Sequence, residues 1–227
     1  MTVMKPISAQ NPKISVVIPT LPSNSHDEVV ACLKEQTFDS YEVLVVNDVD
    51  LDICEARNSG IKAASGDIVA LTDDDCRPDP EWLRNVWDEF DASSNLVCLE
   101  GAVHGGRTYN GTRRYVGCNI SFNREAALAV GGFNSDYAGW RDDTEFGWRM
   151  ERDAGGSCRY SQRVKIHHPD LPRAGMNEEL EMQLKREYPN RYENILVPDS
   201  IIGSINDWLW RHGFWDMIDS IRYNTQK

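Results

Sequence analysis

The sequence contains no run of roughly 18 apolar residues, so nothing in it predicts a membrane-spanning helix. Its first thirteen residues, Met1 to Lys13, have no apolar stretch of the kind a secretory leader needs, and a cytoplasmic location is the expectation. Closely spaced cysteines are also absent. Cys32, Cys54, Cys76, Cys98, Cys118 and Cys158 stand singly, which excludes a C-x-x-C zinc or redox site and predicts reduced, mostly buried thiols. Basic residues are outnumbered, 24 Lys and Arg against 36 Asp and Glu, and the formal net charge of -12 repels phosphate polymers. Nucleic acid is therefore not expected as a partner. Internal repeats and low-complexity segments are missing as well. At 227 residues the chain can bury a core without disulfides.

What is present is an alternation of short apolar runs and amphipathic stretches. Lys13 to Pro19, Tyr41 to Val46, Asp67 to Leu71 and Leu96 to Gly101 predict strands, the first β-branched and stopped by proline. Between them, Asp27 to Gln36, Leu51 to Ala64 and Pro78 to Phe90 predict helices, the last with Pro80 in its first turn and acids at its positive end. This alternation predicts an α/β fold whose central, mainly parallel sheet is flanked by helices. The second half is less regular. Gly105 to Arg114 reads as a loop, Tyr115 to Phe122 as a strand, Arg124 to Val130 as a helix stopped by Gly131-Gly132, Asp142 to Arg152 as a helix and Cys158 to His167 as a strand. Met176 to Tyr188 and the tryptophan-rich Ile201 to Tyr223 predict a helical C-terminal tail.

Ligands on such sheets bind beyond the carboxyl ends of the strands. Thr20, Asp48 and Asp73 all fall at such ends, which predicts one shared site. Asp73-Asp74-Asp75 is a dense acidic run. Adjacent carboxylates repel, and a hard divalent cation would relieve that repulsion while bridging to a diphosphate. The alternative is a solvated acidic turn before the next helix. Asp142-Asp143-Thr144-Glu145 opens a predicted helix, where a carboxylate could serve as a general base toward a hydroxyl. The alternative there is a plain helix start with a Glu145–Arg149 pair. His167-His168-Pro169 ends a strand, where an imidazole could complete a metal's shell of oxygens, or be merely structural.

In this order and spacing the pieces resemble the family 2 glycosyltransferases of the GT-A fold, from residue 14 to residue 169. The resemblance rests on Val16-Val17-Ile18-Pro19-Thr20, Asn47-Asp48, Arg57-Asn58-Ser59-Gly60, Thr72-Asp73-Asp74-Asp75 as a D-x-D element, and Pro78 with Trp82-Leu83. It continues through Asn119 to Arg124, Gly131-Gly132-Phe133, Asp142 to Arg149 and His167-His168-Pro169. It implies a catalytic domain over 13–175, with a nucleotide-binding half 13–101 and an acceptor half 102–175, an extension over 1–12 and a helical extension over 176–227. It also implies a metal-dependent, inverting transfer of a hexosyl group, with a UDP-sugar favoured as donor. The acceptor would be a hydroxyl of a glycan or lipid-linked molecule, as in polysaccharide biosynthesis.

The roles carried over follow the motifs. Pro19, Thr20, Leu21, Asp48, Arg57, Asp73 and Asp74 would bind the nucleotide sugar. Asp75 with one of His167 and His168 would hold Mn²⁺ or Mg²⁺. Asp143 would be the base, with Asp142, where the family more often has Glu, contacting donor or acceptor. Gly131-Gly132 would let the backbone approach the sugar, and Arg113 or Arg114 would lie near phosphate or in solvent. The tail aromatics Trp208, Trp210, Phe214 and Trp215 would pack the tail on its domain or a partner chain, leaving room for a homodimer and for peripheral membrane contact. A sugar-phosphate nucleotidyltransferase would want a glycine-rich basic loop after the first strand, and Thr20-Leu21-Pro22-Ser23-Asn24 has neither glycine nor lysine. A non-catalytic carbohydrate-binding scaffold on the same fold would have no need of the acidic run or of Asp142-Asp143.

Overall fold

The computed structural model describes residues 2–106, 108–170 and 175–224. Arg107 of the expected 105–114 loop and residues 171–174 of the expected catalytic domain lie outside them, as do Met1 and residues 225–227. The chain forms two compact units, Met1–Pro169 and Asp170–Lys227.

In the first unit the strands are β1 (Thr2–Ser8), β2 (Ile14–Thr20), β3 (Tyr41–Asn47), β4 (Ile68–Leu71), β5 (Arg77–Pro78), β6 (Leu96–Gly105), β7 (Ile120–Asn123) and β8 (Ser157–His168). The helices are α1 (Asp27–Lys34), α2 (Ile53–Ala63), α3 (Trp82–Asp91), α4 (Arg124–Ala129) and α5 (Asp142–Asp153). The second unit holds α6 (Glu178–Glu187), α7 (Pro189–Ile195), α8 (Ile201–Arg211) and α9 (Phe214–Asn224). The single expected tail helix is broken after Arg211, at a left-handed Gly213.

The strands form one mixed sheet in the order β1-β3-β2-β4-β7-β6-β8-β5. β2 lies between β3 and β4 and is parallel to both, so the carboxyl ends of three strands meet at one edge. β2 is buried throughout, as expected of a strand covered on both faces. Pro19 sits near its end without disturbing the ladder. The Val17 carbonyl accepts from Thr72 N at 3.3 Å, so residues 17 and 19 turn their polar groups toward β4. β4 has ended at Leu71, so no partner awaits the N–H that Pro19 lacks. The two strands part there, and the parting opens the crevice.

Several elements differ from expectation. Residues 1–12 carry β1, antiparallel to β3 and tied by Lys5 Nζ donating to the buried Glu42 at 2.8 Å. Leu96 to Gly101 does not extend the parallel set directly, because the antiparallel β7 is inserted between β4 and β6. Arg77–Pro78 pairs with β8 rather than starting a helix, and α3 begins at Trp82 with no acid in its first turn. Proline is tolerated in β5 because this strand is the sheet's edge. Of the expected strand from Tyr115 to Phe122, Gly117–Asn119 is a 3₁₀ turn and only Ile120–Asn123 is extended.

The main core packs β2, β3 and β6 against α1 and α3 through Val16, Ile18, Val29, Leu33, Val43, Trp82, Leu83 and Leu99, all fully buried. On the other side α2 packs on β2 and β3. It starts cleanly because Asp52 accepts from Glu55 N at 2.8 Å while Glu55 accepts from Asp52 N at 2.9 Å, a reciprocal capping box. That start fixes the face of α2 that turns Arg57 inward.

Candidate active site

Thr20 ends β2, Asn47 pairs with it in register and is followed by Asp48, and Thr72-Asp73-Asp74-Asp75 follows β4. The expected convergence of polar strand ends is therefore present. Within the acidic run the three carboxylates have different surroundings. Asp74 turns back to β2, accepting from Thr20 Oγ1 at 2.5 Å and Asn24 Nδ2 at 3.0 Å. Asp73 and Asp75 face the buried His168 and Cys76, and one ligand atom from each of the four lies within 4.8 Å of the others. Burial raises the Asp73 carboxyl above the usual range; Arg57 and His168 pull it down and Asp75 adds to the rise.

The donor set fits a hard divalent cation. His168 Nδ1 lies 2.7 Å from the Pro169 carbonyl, which can only accept, so Nδ1 carries a proton and Nε2 is the nitrogen left to face a cation. A metal-binding histidine is commonly oriented in this way. Asp73, Asp75 and His168 thus offer two carboxylates and an imidazole. Cys76 is not a competitive ligand. Its thiol is buried against that of Cys118, which with burial pushes its pKa far up, and its soft sulfur suits a hard cation less well than the carboxylates do. His167 does not join this group. Its ring meets His104 edge-on at 5.5 Å, and its Nδ1 is buried without a hydrogen-bond partner.

Across the crevice, α5 begins with Asp142 and Asp143 after Arg141, whose φ of 61° is left-handed. Asp142 is buried and forms an ion pair with Arg57. Burial works against the charge on Arg57, but Asp142 first, then Asp73 and Asp143, hold it protonated. The guanidinium also lies over the Phe133 ring, 5.0 Å from its centroid. Arg57 is thus the electrostatic link between the Asp73 side and the α5 side. Asp143 is partly buried, with Oδ2 accepting from Gly117 N at 2.9 Å and Oδ1 from Thr144 N at 2.7 Å. Burial, then the neighbouring Asp142, push its carboxyl up to about 6, while Arg57 and the two amides oppose the rise. A carboxylate that titrates near neutrality at a crevice wall suits a general base.

The remaining expected residues are placed as follows. Leu21 is half-exposed at the mouth, and Asp48 accepts from Asp50 N at 3.1 Å. Gly131-Gly132 ends α4, and a Cβ on Gly132 would lie 2.3 Å from Asn58 Oδ1, so this turn is filled by Asn58, which also accepts from Phe133 N at 2.7 Å. Arg113 is solvent-exposed, as one alternative expected, and forms an ion pair with Glu151. Glu145 and Arg149 form a buried bidentate pair rather than an exposed one. No local pattern in the sequence marks the Gly117 amide, the Arg57–Asp142 pair or Cys76 as parts of the site.

A crevice at the ends of parallel strands, with an acid and imidazole cluster on one wall and a perturbed carboxylate on the other, defines a sugar-nucleotide transferase fold of the GT-A type. Comparison with known proteins agrees. The model of Glycosyl transferase family 2 matches residues 49–143. The Glucosyl-dolichyl phosphate glucuronosyltransferase of Haloferax volcanii is 22% identical, over 69% of this chain and 69% of that protein. Among solved structures, S. aureus TarS 1-349 in complex with UDP-GlcNAc has a TM-score of 0.63 at 16% identity, over 88% of this chain and 72% of that one. The mannosyltransferase PcManGT from Pyrobaculum calidifontis, in complex with GDP-Man and Mn²⁺, has a TM-score of 0.56 at 18% identity, over 80% of this chain and 63% of that one. A longer TarS structure is matched over only 43% of its length, at a TM-score of 0.64. The family 2 model covers less than half of the chain; together with these relatives it supports a glycosyltransferase enzyme that resembles glycosyl transferase family 2.

Proposed function

We propose that the protein is a metal-dependent, inverting glycosyltransferase that uses a nucleoside-diphosphate sugar, with a UDP-sugar favoured, to glycosylate a hydroxyl of a glycan or lipid-linked acceptor. The observation that carries this reading is the placement of Asp73, Asp75 and His168 as one donor cluster, linked through Arg57 to Asp143 on α5. Pro19, Thr20, Leu21, Asp48 and Asp73 line the nucleoside side, and Asp74 holds the loop after β2 in place through Thr20 and Asn24. Asp75 and His168, rather than His167, hold the cation. When bound there, Mn²⁺ or Mg²⁺ supplies charge compensation for the leaving diphosphate. Asp143 takes the acceptor hydroxyl's proton as that oxygen attacks the anomeric carbon opposite the diphosphate. The new glycosidic bond forms as the bond to the diphosphate oxygen breaks, with inversion. Arg57 acts on Asp142 and Asp143 rather than directly on the nucleotide. PcManGT, with GDP-Man and Mn²⁺ bound, and TarS, with UDP-GlcNAc bound, support the donor class and the metal by analogy.

Calorimetric titration of UDP, GDP and dTDP with and without Mn²⁺ tests this reading. UDP is expected to bind more tightly with Mn²⁺, and Asp75→Ala is expected to remove the metal-dependent part, at least tenfold in affinity, since a carboxylate ligand to a hard cation is lost. Nucleotide binding that is indifferent to metal in the parent protein would overturn it.

A lipid-linked acceptor would bring the second unit to a bilayer. Its α8 shows Ile201, Ile205 and Trp208 on one exposed stripe, with Ile201 81% exposed, and no helix among the described residues is long and apolar enough to cross a membrane. The arginines of α8 and α9 are in ion pairs, Arg211 with Asp207 and Arg222 with Asp170, so uncharged lipid should suffice. Flotation with phosphatidylcholine vesicles is expected to carry the protein, and Ile205→Ser with Trp208→Ser to release it. Loss of a homodimer in place of vesicle binding would reassign the stripe.

A further inference from the structure

The loop between β6 and β7 is more ordered than its sequence suggests. Arg113 and Tyr115 are non-glycine residues at φ 57° and 53°, a conformation that persists only where surroundings impose it. Two sets of contacts impose it. On the α5 side, Thr144 Oγ1 donates to the Arg114 carbonyl, Trp148 Nε1 donates to the Arg113 carbonyl at 2.7 Å, and Tyr115 Oη donates to Glu151 at 2.7 Å. Thr144, Trp148 and Glu151 are spaced four and three residues apart, so they lie on one face of the helix. On the β6 side the buried Glu100 accepts from the Tyr109 hydroxyl, and that hydroxyl accepts from Arg114 N at 3.0 Å and Tyr115 N at 3.2 Å. Two residues beyond Tyr115, Gly117 donates its N–H to Asp143. A Cβ on Gly117 would lie 2.3 Å from Arg57 Nη2, so the backbone here fits closely against the carboxylate pair and its arginine.

We propose that Glu100, acting through Tyr109, is a positioning residue for Asp143: it anchors the 109–117 strap that presents the Gly117 amide to the carboxylate. The proposal rests on Asp143 being the base. Glu100 belongs to no motif of the resemblance and lies on β6, away from the acidic run. Burial pushes its own carboxyl up to about 7, which makes the Tyr109 contact matter for keeping the site satisfied. The other charged or titratable groups facing Glu100 are Tyr115, Tyr160, Cys98, Cys158, Glu151 and Arg113, and those facing Asp143 are Asp142 and Arg57.

An N–H donated to a carboxylate favours its ionised form. Loosening the strap should therefore raise the Asp143 titration midpoint. The measurement is a pH titration of ¹³C-carboxyl aspartate signals in the full chain, with the Asp143 signal identified by its loss in Asp143→Asn. Tyr109→Phe, which keeps the ring and deletes the hydroxyl, and Glu100→Leu are expected to move the midpoint up by about one unit, one unit matching the loss of one such contact. Glu100→Gln, which keeps an acceptor for Tyr109, is expected to restore the parent midpoint. In turnover assays the same variants should lower kcat at pH 6 with the nucleotide affinity unchanged. Tyr109→Phe retaining the parent midpoint in a folded protein, judged by near-ultraviolet dichroism, would overturn the proposal. The titration needs no turnover, so absence of transferase activity would count against the proposed function and leave this test standing.

Discussion

Asp143→Asn is expected to cut sugar transfer by about 10²–10⁴-fold while leaving Mn²⁺-dependent UDP binding intact, because the proposed base is removed and the donor cluster is not. The neutral amide keeps a similar shape and an oxygen acceptor for Gly117 N or Thr144 N, so loss of activity would not reflect collapse of α5. In the parent protein the same group sets the pH dependence. The carboxyl titrates near 6, so kcat/KM should fall as pH drops through that value and flatten above it. The limb belongs to the Asp142–Asp143 pair rather than to one carboxyl in isolation.

Stability should move the other way. The folded pKa of Asp143 lies above the unfolded value of about 3.9. Its contribution to folding is therefore fully present below that value and is lost as pH rises through about 6. Thermal melts from pH 5 to pH 8 should show Asp143→Asn gaining on the parent as pH rises. A variant that lost activity and melted earlier at every pH would mark Asp143 as structural instead.

Arg57→Met is expected to destabilise the first unit by about 3–5 kcal/mol, because it leaves Asp142 as a buried charge without its partner. For a protein of this size that corresponds to a fall in Tm of roughly 6–20 °C. Arg57→Met combined with Asp142→Leu should recover most of the loss, since a buried ion pair is often replaceable by apolar residues. The double-mutant cycle reads the coupling directly. Its recovery should be in stability and not in turnover, because Arg57 also faces Asp73 and Asp143. Equal melting of the single variant and the parent would show that Asp142 finds another partner or takes up a proton at no cost. Arg57→Lys is not a conservative control, because a lysine cannot reproduce the planar guanidinium over Phe133.

Much of the crevice was legible in the chain because local patterns decide it. A strand covered on both faces is largely apolar, and Val16 to Ile18, Val43 to Val46 and Ile68 to Leu71 are continuously so. Where those runs stop, polar residues must begin, so Thr20, Asp48 and the acidic run were readable as neighbours of one edge before any coordinates. The helix starting at Asp142 was readable for the same reason. The sequence by itself thus determined the sheet's parallel core, the acidic edge and the two carboxylates on α5. Tertiary structure alone decided how these groups divide their work. The choice between His167 and His168 depends on which imidazole is held by a backbone carbonyl and so turned to the carboxylates, and strand alternation permits either. The separation of Asp142 from Asp143 depends on Arg57, 85 positions earlier, reaching one and not the other. The insertion of β7 beside β4 and the anchoring of the 109–117 strap on Glu100 likewise join residues whose mutual contacts no periodicity encodes. Burial and hydrogen bonding between distant segments set the charge and the pKa of each group, and those are properties of the folded chain.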